Sequence, residues 1–274
     1  MSLSVDPSRL VFVGGLHRSG TTPFARVLAT HPDISGLEQT GVKEDEGQHL
    51  QTVYPKAKVY GGSGRFAYAQ QAHLTESSPL VSQRNAESML ETWTPYWDTD
   101  RQLLVEKSPP NLIMGRFLQA MYPGSAFIAV VRHPVTVALS NKKWRKAASS
   151  DPRKFESLSG LVDHWFTAHD IFRADLPHLS RALVVHYEDL VTTPRRELDR
   201  VAEFLQLSSP IDDSSLSTKH SGAYTDAWAS YATPPRPGWW QRRQIERRYG
   251  TRMALYGYSP EKLMAHRSDD STVL

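Results

Sequence analysis

Near the start of the chain His17, Arg18, Ser19, Thr21 and Thr22 crowd into six positions, with Gly20 among them and Gly14 and Gly15 just ahead. Ahead of them residues 10–14 form a continuous apolar run, and residues 22–30 behind them read as a helix with proline in its first turn. A glycine-bearing loop that feeds a helix N-terminus gathers backbone N–H groups around one point. The helix dipole adds partial positive charge there. Arg18 contributes a cation and the three hydroxyls contribute donors, so the chemistry expected is capture of a phosphate or similar oxyanion. Gly15 and Gly20 have the spacing of the P-loop G-x-x-x-x-G-K-[ST], but Thr21 stands where its lysine belongs. That lysine reaches β- and γ-phosphates; without it, and with a cation at Arg18, the loop suits a ligand with no γ-phosphate.

Other residues stand at the ends of apolar runs. Val130-Val131-Arg132-His133-Pro134 ends one run in arginine and starts a helix with proline, and Ser140 follows on that helix. Arg132 and Ser140 can therefore converge on one phosphate. Lys107 closes Val105-Glu106-Lys107, at the edge where parallel α/β sheets place their ligands.

The elements that must hold these residues alternate. Buried-strand runs at 10–14, 103–105, 126–131 and 182–185 are interleaved with helical patterns at 85–97, 111–121, 135–146, 158–172, 194–205 and 239–255. Pro95 should end or bend the first of these helices. This alternation predicts an α/β fold, a central parallel sheet flanked by helices on both faces. Residues 36–82 and 206–238 read as long irregular segments, and no linker divides the chain, so residues 1–274 are taken as one domain.

Composition narrows the class. With no cysteine among 274 residues, disulfides, thiolate catalysis and cysteine-ligated zinc are excluded. No apolar run approaches a membrane span and no secretory core is present, so a cytoplasmic protein is expected. A net charge of +3 permits an anion site without demanding nucleic acid. No histidine pair has metal-site spacing, and no metal is expected.

The stretch GGLHRSGTTPFARVLATHPD resembles the 5′-phosphosulfate loop of sulfotransferases that use 3′-phosphoadenosine 5′-phosphosulfate (PAPS), closest to the bacterial and tyrosylprotein branch. Arg132, Pro134 and Ser140 are similar to that family's 3′-phosphate motif. Val185-His186-Tyr187-Glu188-Asp189-Leu190 is similar to a segment whose tyrosine lies near the adenine. The ending Leu255-Tyr256-Gly257-Tyr258 also resembles the tyrosylprotein branch.

The resemblance implies a P-loop-like three-layer fold, PAPS as sulfuryl donor, and a hydroxyl or amine acceptor on a small molecule, lipid, sugar or peptide. It implies donor binding by His17, Arg18, Ser19, Gly20, Thr21, Thr22, Arg132, Ser140 and Tyr187. It gives Lys107, aided by Arg18, the task of stabilising the transferring group. The histidine that serves as base in the small-molecule branch is replaced by Pro109. The tyrosylprotein branch uses a glutamate after a His-Pro pair; ungapped alignment from His31-Pro32 puts Gln39 there. A one-residue slip gives Glu38, the base expected here, with Glu44, Asp45, Glu46, His49 and His17 as competitors. Tyr60, Phe66, Tyr68, Trp228 and Tyr231 suit an acceptor pocket or a core equally. Two rivals are a P-loop nucleotide kinase or NTPase, and a non-catalytic binder of anionic polymers built on Arg242, Arg243, Arg247 and Arg248. The first predicts stabilisation by ATP with magnesium, the second a steep salt dependence.

Overall fold

The computed structural model describes residues 3–148, 157–216, 219–235 and 237–266. Five parallel strands form one sheet: β1 (Leu10–Gly14), β2 (Ile34–Gly36), β3 (Leu103–Lys107), β4 (Ala126–Val131) and β5 (Ala182–His186). Their order is β2-β3-β1-β4-β5. From β1 the chain passes first to one side of the sheet and later to the other. The order therefore reverses beside β1, where a crevice opens at the strands' carboxyl ends. Val13 of β1 lies level with Lys107 of β3 and Ile128 of β4, so the segments leaving these strands emerge together.

The strands are apolar throughout because both faces are covered. Leu10, Phe12, Leu104, Phe127 and Val131 pack into one core with α2 (Gln83–Trp93), α3 (Gly115–Met121), α4 (Pro134–Ala148) and α5 (Leu158–Asp175). Val11, Val13, Val105, Ile128 and Val130 pack into the other with α1 (Thr21–Leu28), α6 (Tyr187–Thr192) and α7 (Pro194–Leu205). The result is three layers, as expected. Two more helices, α8 (Lys219–Ser230) and α9 (Pro237–Ala254), complete the described chain.

Several bounds differ from expectation for physical reasons. Ser82 caps α2, accepting from the Asn85 N–H at 3.2 Å, and Pro95 sits in the 3₁₀ turn that closes it. Pro109 and Pro110 turn the start of the helix expected at 111–121 into a 3₁₀ turn, and α3 begins at Gly115. The three-residue β2 falls where no element was expected, and the helix α8 where irregular chain was expected. Most of residues 36–82 is indeed irregular, a run of 3₁₀ turns tied down by buried amides. Gln51 brackets Tyr54 with two bonds of 2.9 Å, and Gln48 Oε1 accepts from the Ala57 N–H at 3.1 Å. Such partners are needed wherever chain without a ladder is buried. Among the described residues no helix is long and apolar enough to cross a membrane.

Candidate active site

At the end of β1 the chain turns through Arg18 and Gly20, both left-handed (φ 77° and 101°), before α1 begins. Glycine is required at the second position. A Cβ there would come within 2.3 Å of the Tyr187 ring, which closes over the loop. The Ser19 hydroxyl is buried and unpartnered.

Arg132, at the carboxyl end of β4, is buried. Its Nη1 donates to the Arg18 carbonyl at 3.2 Å, and its guanidinium lies 4.1 Å from the centre of the Tyr187 ring. A buried network fixes this strand end. Trp165 donates to the Arg132 carbonyl at 2.9 Å, and Glu188 accepts from the His133 N–H at 2.9 Å and the Tyr258 hydroxyl at 3.1 Å. Two turns along α4, Ser140 receives Arg18 Nε at 3.1 Å. Arg18, Gly20, Thr21, Thr22, Arg132, Ser140 and Tyr187 thus wall a single cavity of about 480 Å³.

One wall residue went unread in the sequence. Tyr224 of α8 donates its hydroxyl to Ser140 Oγ at 3.0 Å and lies 5.8 Å from the Arg132 guanidinium. α8 has an almost featureless polar pattern, so no periodicity marks this tyrosine as inward-facing. Tyr224→Phe is expected to weaken binding of 3′,5′-adenosine bisphosphate by about 2- to 10-fold, the worth of one ordinary hydrogen bond. Isothermal titration would measure it.

Lys107 is also buried, at the end of β3. Its ammonium donates to Thr22 Oγ1 at 3.1 Å, the Glu44 carbonyl at 2.8 Å and Glu46 Oε1 at 3.4 Å. Beneath it Glu106 acts as a clamp, accepting from the Gly47 N–H (3.0 Å), the Ser108 hydroxyl (2.6 Å) and Asn111 Nδ2 (2.6 Å). Burial pushes the Glu106 carboxyl up and the Lys107 ammonium down.

Glu46 goes the other way. Burial alone would raise it, but His49, Lys107, His17 and Gln48 together bring it down to about 2. A carboxyl held below its ordinary 4.5 stabilises the fold above that pH and loses the contribution as pH falls toward about 2. The depression corresponds to on the order of 3 kcal/mol. Acid unfolding followed by circular dichroism should therefore be less steep for Glu46→Gln than for the natural chain over that window.

Two more cavities adjoin the first. One, of about 420 Å³, is lined by Thr22, Arg26, Glu38, Gln39, Glu44 and Lys107. The other, of about 290 Å³, is lined by His17, Arg18, Thr22, Glu44, Glu46 and His49, with others. Glu38 is exposed on the first, its N–H on the Tyr96 carbonyl at 3.4 Å. His17 faces the second cavity, not the one walled by Arg132, and burial pushes its imidazole down to about 4. Of the residues grouped by sequence, His17, Ser19, Glu38 and Lys107 are not on the wall of the Arg132–Ser140 cavity, and Lys107 is tied to it through Thr22. Phe66 and Trp228 are core residues, and Tyr68 is exposed.

Thr22 and Glu44 line all three cavities. Glu44 and Asp45 are consecutive residues in the left-handed region, at φ 55° and 50°. For side-chain-bearing residues that conformation costs roughly 1–2 kcal/mol each. Asp45 holds the turn by accepting from the Thr40 N–H at 3.0 Å and its hydroxyl at 2.6 Å.

A parallel sheet whose central strand runs through a glycine turn into a helix, with cations at the neighbouring strand ends, defines a P-loop-like α/β protein. The chain matches the model of the sulfotransferase family over residues 10–213 and belongs to that family. It is 25% identical over 204 residues to protein-tyrosine sulfotransferase 2 of Gallus gallus, covering 73% of this chain and 51% of that protein. It is 32% identical over 131 residues to heparan sulfate glucosamine 3-O-sulfotransferase 3B1 of Homo sapiens, covering 42% and 34%. Among solved structures it is similar to the sulfotransferase domain from the curacin biosynthetic pathway, at 18% identity and TM-score 0.49, over 92% of this chain and 99% of that one. The chain spans about half, or less, of the length of the curated relatives it matches.

Proposed function

We propose that this protein transfers a sulfuryl group from PAPS to a hydroxyl or amine acceptor. The observation that carries this reading is the single cavity shared by the glycine loop and the Arg132–Ser140 pair, joined through Arg18. Had those two regions faced opposite sides of the sheet, no one nucleotide could have touched both.

The residues suit a ligand with anionic groups at two ends. Ser19 has a buried hydroxyl without a partner, and the Tyr187 ring can close over the loop only because Gly20 lacks a side chain. PAPS, when bound, supplies a sulfuryl group already activated by a phosphate leaving group. Arg18, Ser19, Thr21 and Thr22, with the loop N–H groups, would hold its phosphosulfate end. Arg132 and Ser140 would hold the ribose phosphate, and Tyr187 would stand beside the base. Lys107 and Arg18 supply positive charge where negative charge moves in the transfer. Both are pre-set by their neighbours, so little reorganisation is needed. A one-residue slip in the family alignment offers Glu38 as base, on the wall shared with Lys107. The acceptors named for the relatives, protein tyrosine and heparan sulfate glucosamine, make phenols and sugar hydroxyls the first classes to try.

The test has two parts. 3′,5′-Adenosine bisphosphate should raise the melting temperature, and ATP with magnesium should not. Radiolabelled PAPS should then label one member of a panel of phenols, sugars, lipids and tyrosine peptides. Stabilisation by ATP with magnesium alone would turn the assignment toward a kinase.

A further inference from the structure

We infer that Glu44 is the residue that takes the proton from the acceptor. This rests on the sulfuryl-transfer reading above and moves its base from Glu38 to Glu44. A base must stand where donor and acceptor meet, within reach of the proton it removes. Glu44 and Thr22 are the two residues common to all three cavities, so an acceptor bound in either side cavity has Glu44 in its wall.

The charges around it agree. Burial pushes both Lys107 and Arg18 down, and the negative charge of Glu44 pulls against that effect at each. Its carboxylate therefore lies near both cations proposed to stabilise the transfer. Its own carbonyl binds the Lys107 ammonium at 2.8 Å, so one residue sets the cation and presents the carboxylate.

The backbone supplies an independent sign. Two successive left-handed residues, clamped by Asp45 on Thr40, persist only where the surroundings enforce them, and such strain gathers at functional sites. Here Glu44 is half-buried and lines each of the three cavities. Glu38 is exposed, and Glu46 is engaged by Lys107, Gln48 and His49.

In the step, the acceptor O–H bond breaks and Glu44 receives the proton. The freed electron pair forms the oxygen–sulfur bond, while the bond from sulfur to the phosphate oxygen breaks and leaves its pair on phosphate. An acceptor that is already ionised needs no such base.

That contrast provides the experiment, with phenol and p-nitrophenol as acceptors in mildly alkaline buffer, where only the second is largely ionised. Glu44→Gln keeps the size of the side chain and the backbone demand. The variant should lose about 100-fold or more in kcat on phenol and less than about tenfold on p-nitrophenol. Its melting-temperature rise with 3′,5′-adenosine bisphosphate should match or exceed that of the natural chain. Equal losses on the two phenols, an unchanged rate on phenol, or a vanished nucleotide shift would each overturn the assignment. So would a natural chain that binds the nucleotide yet sulfates neither phenol, since both are small enough for the adjoining cavities. Absence of any nucleotide shift in the natural chain would instead sink the sulfuryl-transfer reading itself.

Discussion

Lys107→Ala is expected to lower kcat by about 100- to 1000-fold while leaving affinity for 3′,5′-adenosine bisphosphate within a few-fold, the pattern of a group that acts on moving charge. Truncation has a second effect, because Glu46 would stay buried without its ammonium partner. Breaking a buried pair on one side costs about 3–5 kcal/mol. The single variant should therefore melt early. Combining it with Glu46→Gln removes the orphaned charge, so the double variant should recover much of the melting temperature and none of the turnover. Differential scanning fluorimetry beside a single-turnover assay separates the two effects. Turnover restored along with stability would take Lys107 out of the chemistry.

Arg132→Ala should act at the other end. A charge-assisted bond to phosphate is worth about 1.5–3 kcal/mol, so nucleotide binding should weaken by about 10- to 150-fold. The loss should be larger than for Arg132→Lys, which keeps the charge but not the planar fork that stacks on Tyr187 and reaches the Arg18 carbonyl. Unchanged titration curves would assign the arginine to packing alone.

How much of this was legible in the residues depended on whether a signal was local. The strand runs at 10–14, 103–105, 126–131 and 182–185 announce themselves because a sheet covered on both faces demands unbroken apolar runs, whereas the polar ends Glu106, Lys107 and His186 do not. β2 escaped because three residues, Ile-Ser-Gly, carry no period and little propensity. Helix α7 was read to the residue from its proline start and apolar stripe, whereas α8, with no such stripe, was missed and Tyr224 with it. Arg18, Arg132, Ser140 and Tyr187 could be grouped because each sits at a strand end or the first turns of a helix.

The base could not be found that way. Glu44 lies in a turn whose left-handed geometry leaves no mark on a Lys-Glu-Asp sequence, and alignment from His31-Pro32 leads to Glu38 and Gln39 instead. Glu106 was equally hidden. A carboxylate inside a strand reads as solvated until the three donors around it are seen.

The sheet order divides labour in a way that bears on how this architecture diversifies. Apart from Glu44, the nucleotide-side walls come from the loop after β1, α1, the end of β4, α4, α6 and α8, while Glu38, Gln39, Lys43, Glu44, Glu46, His49, Ala57 and Lys58 of the neighbouring hollows belong to one contiguous excursion. That excursion is tethered by its own amides and by the end of β3, where Lys107 donates to the Glu44 carbonyl and Glu106 accepts from the Gly47 N–H. Swapping it wholesale between paralogues would retarget the enzyme as a cassette, and the currency it spends would stay the same.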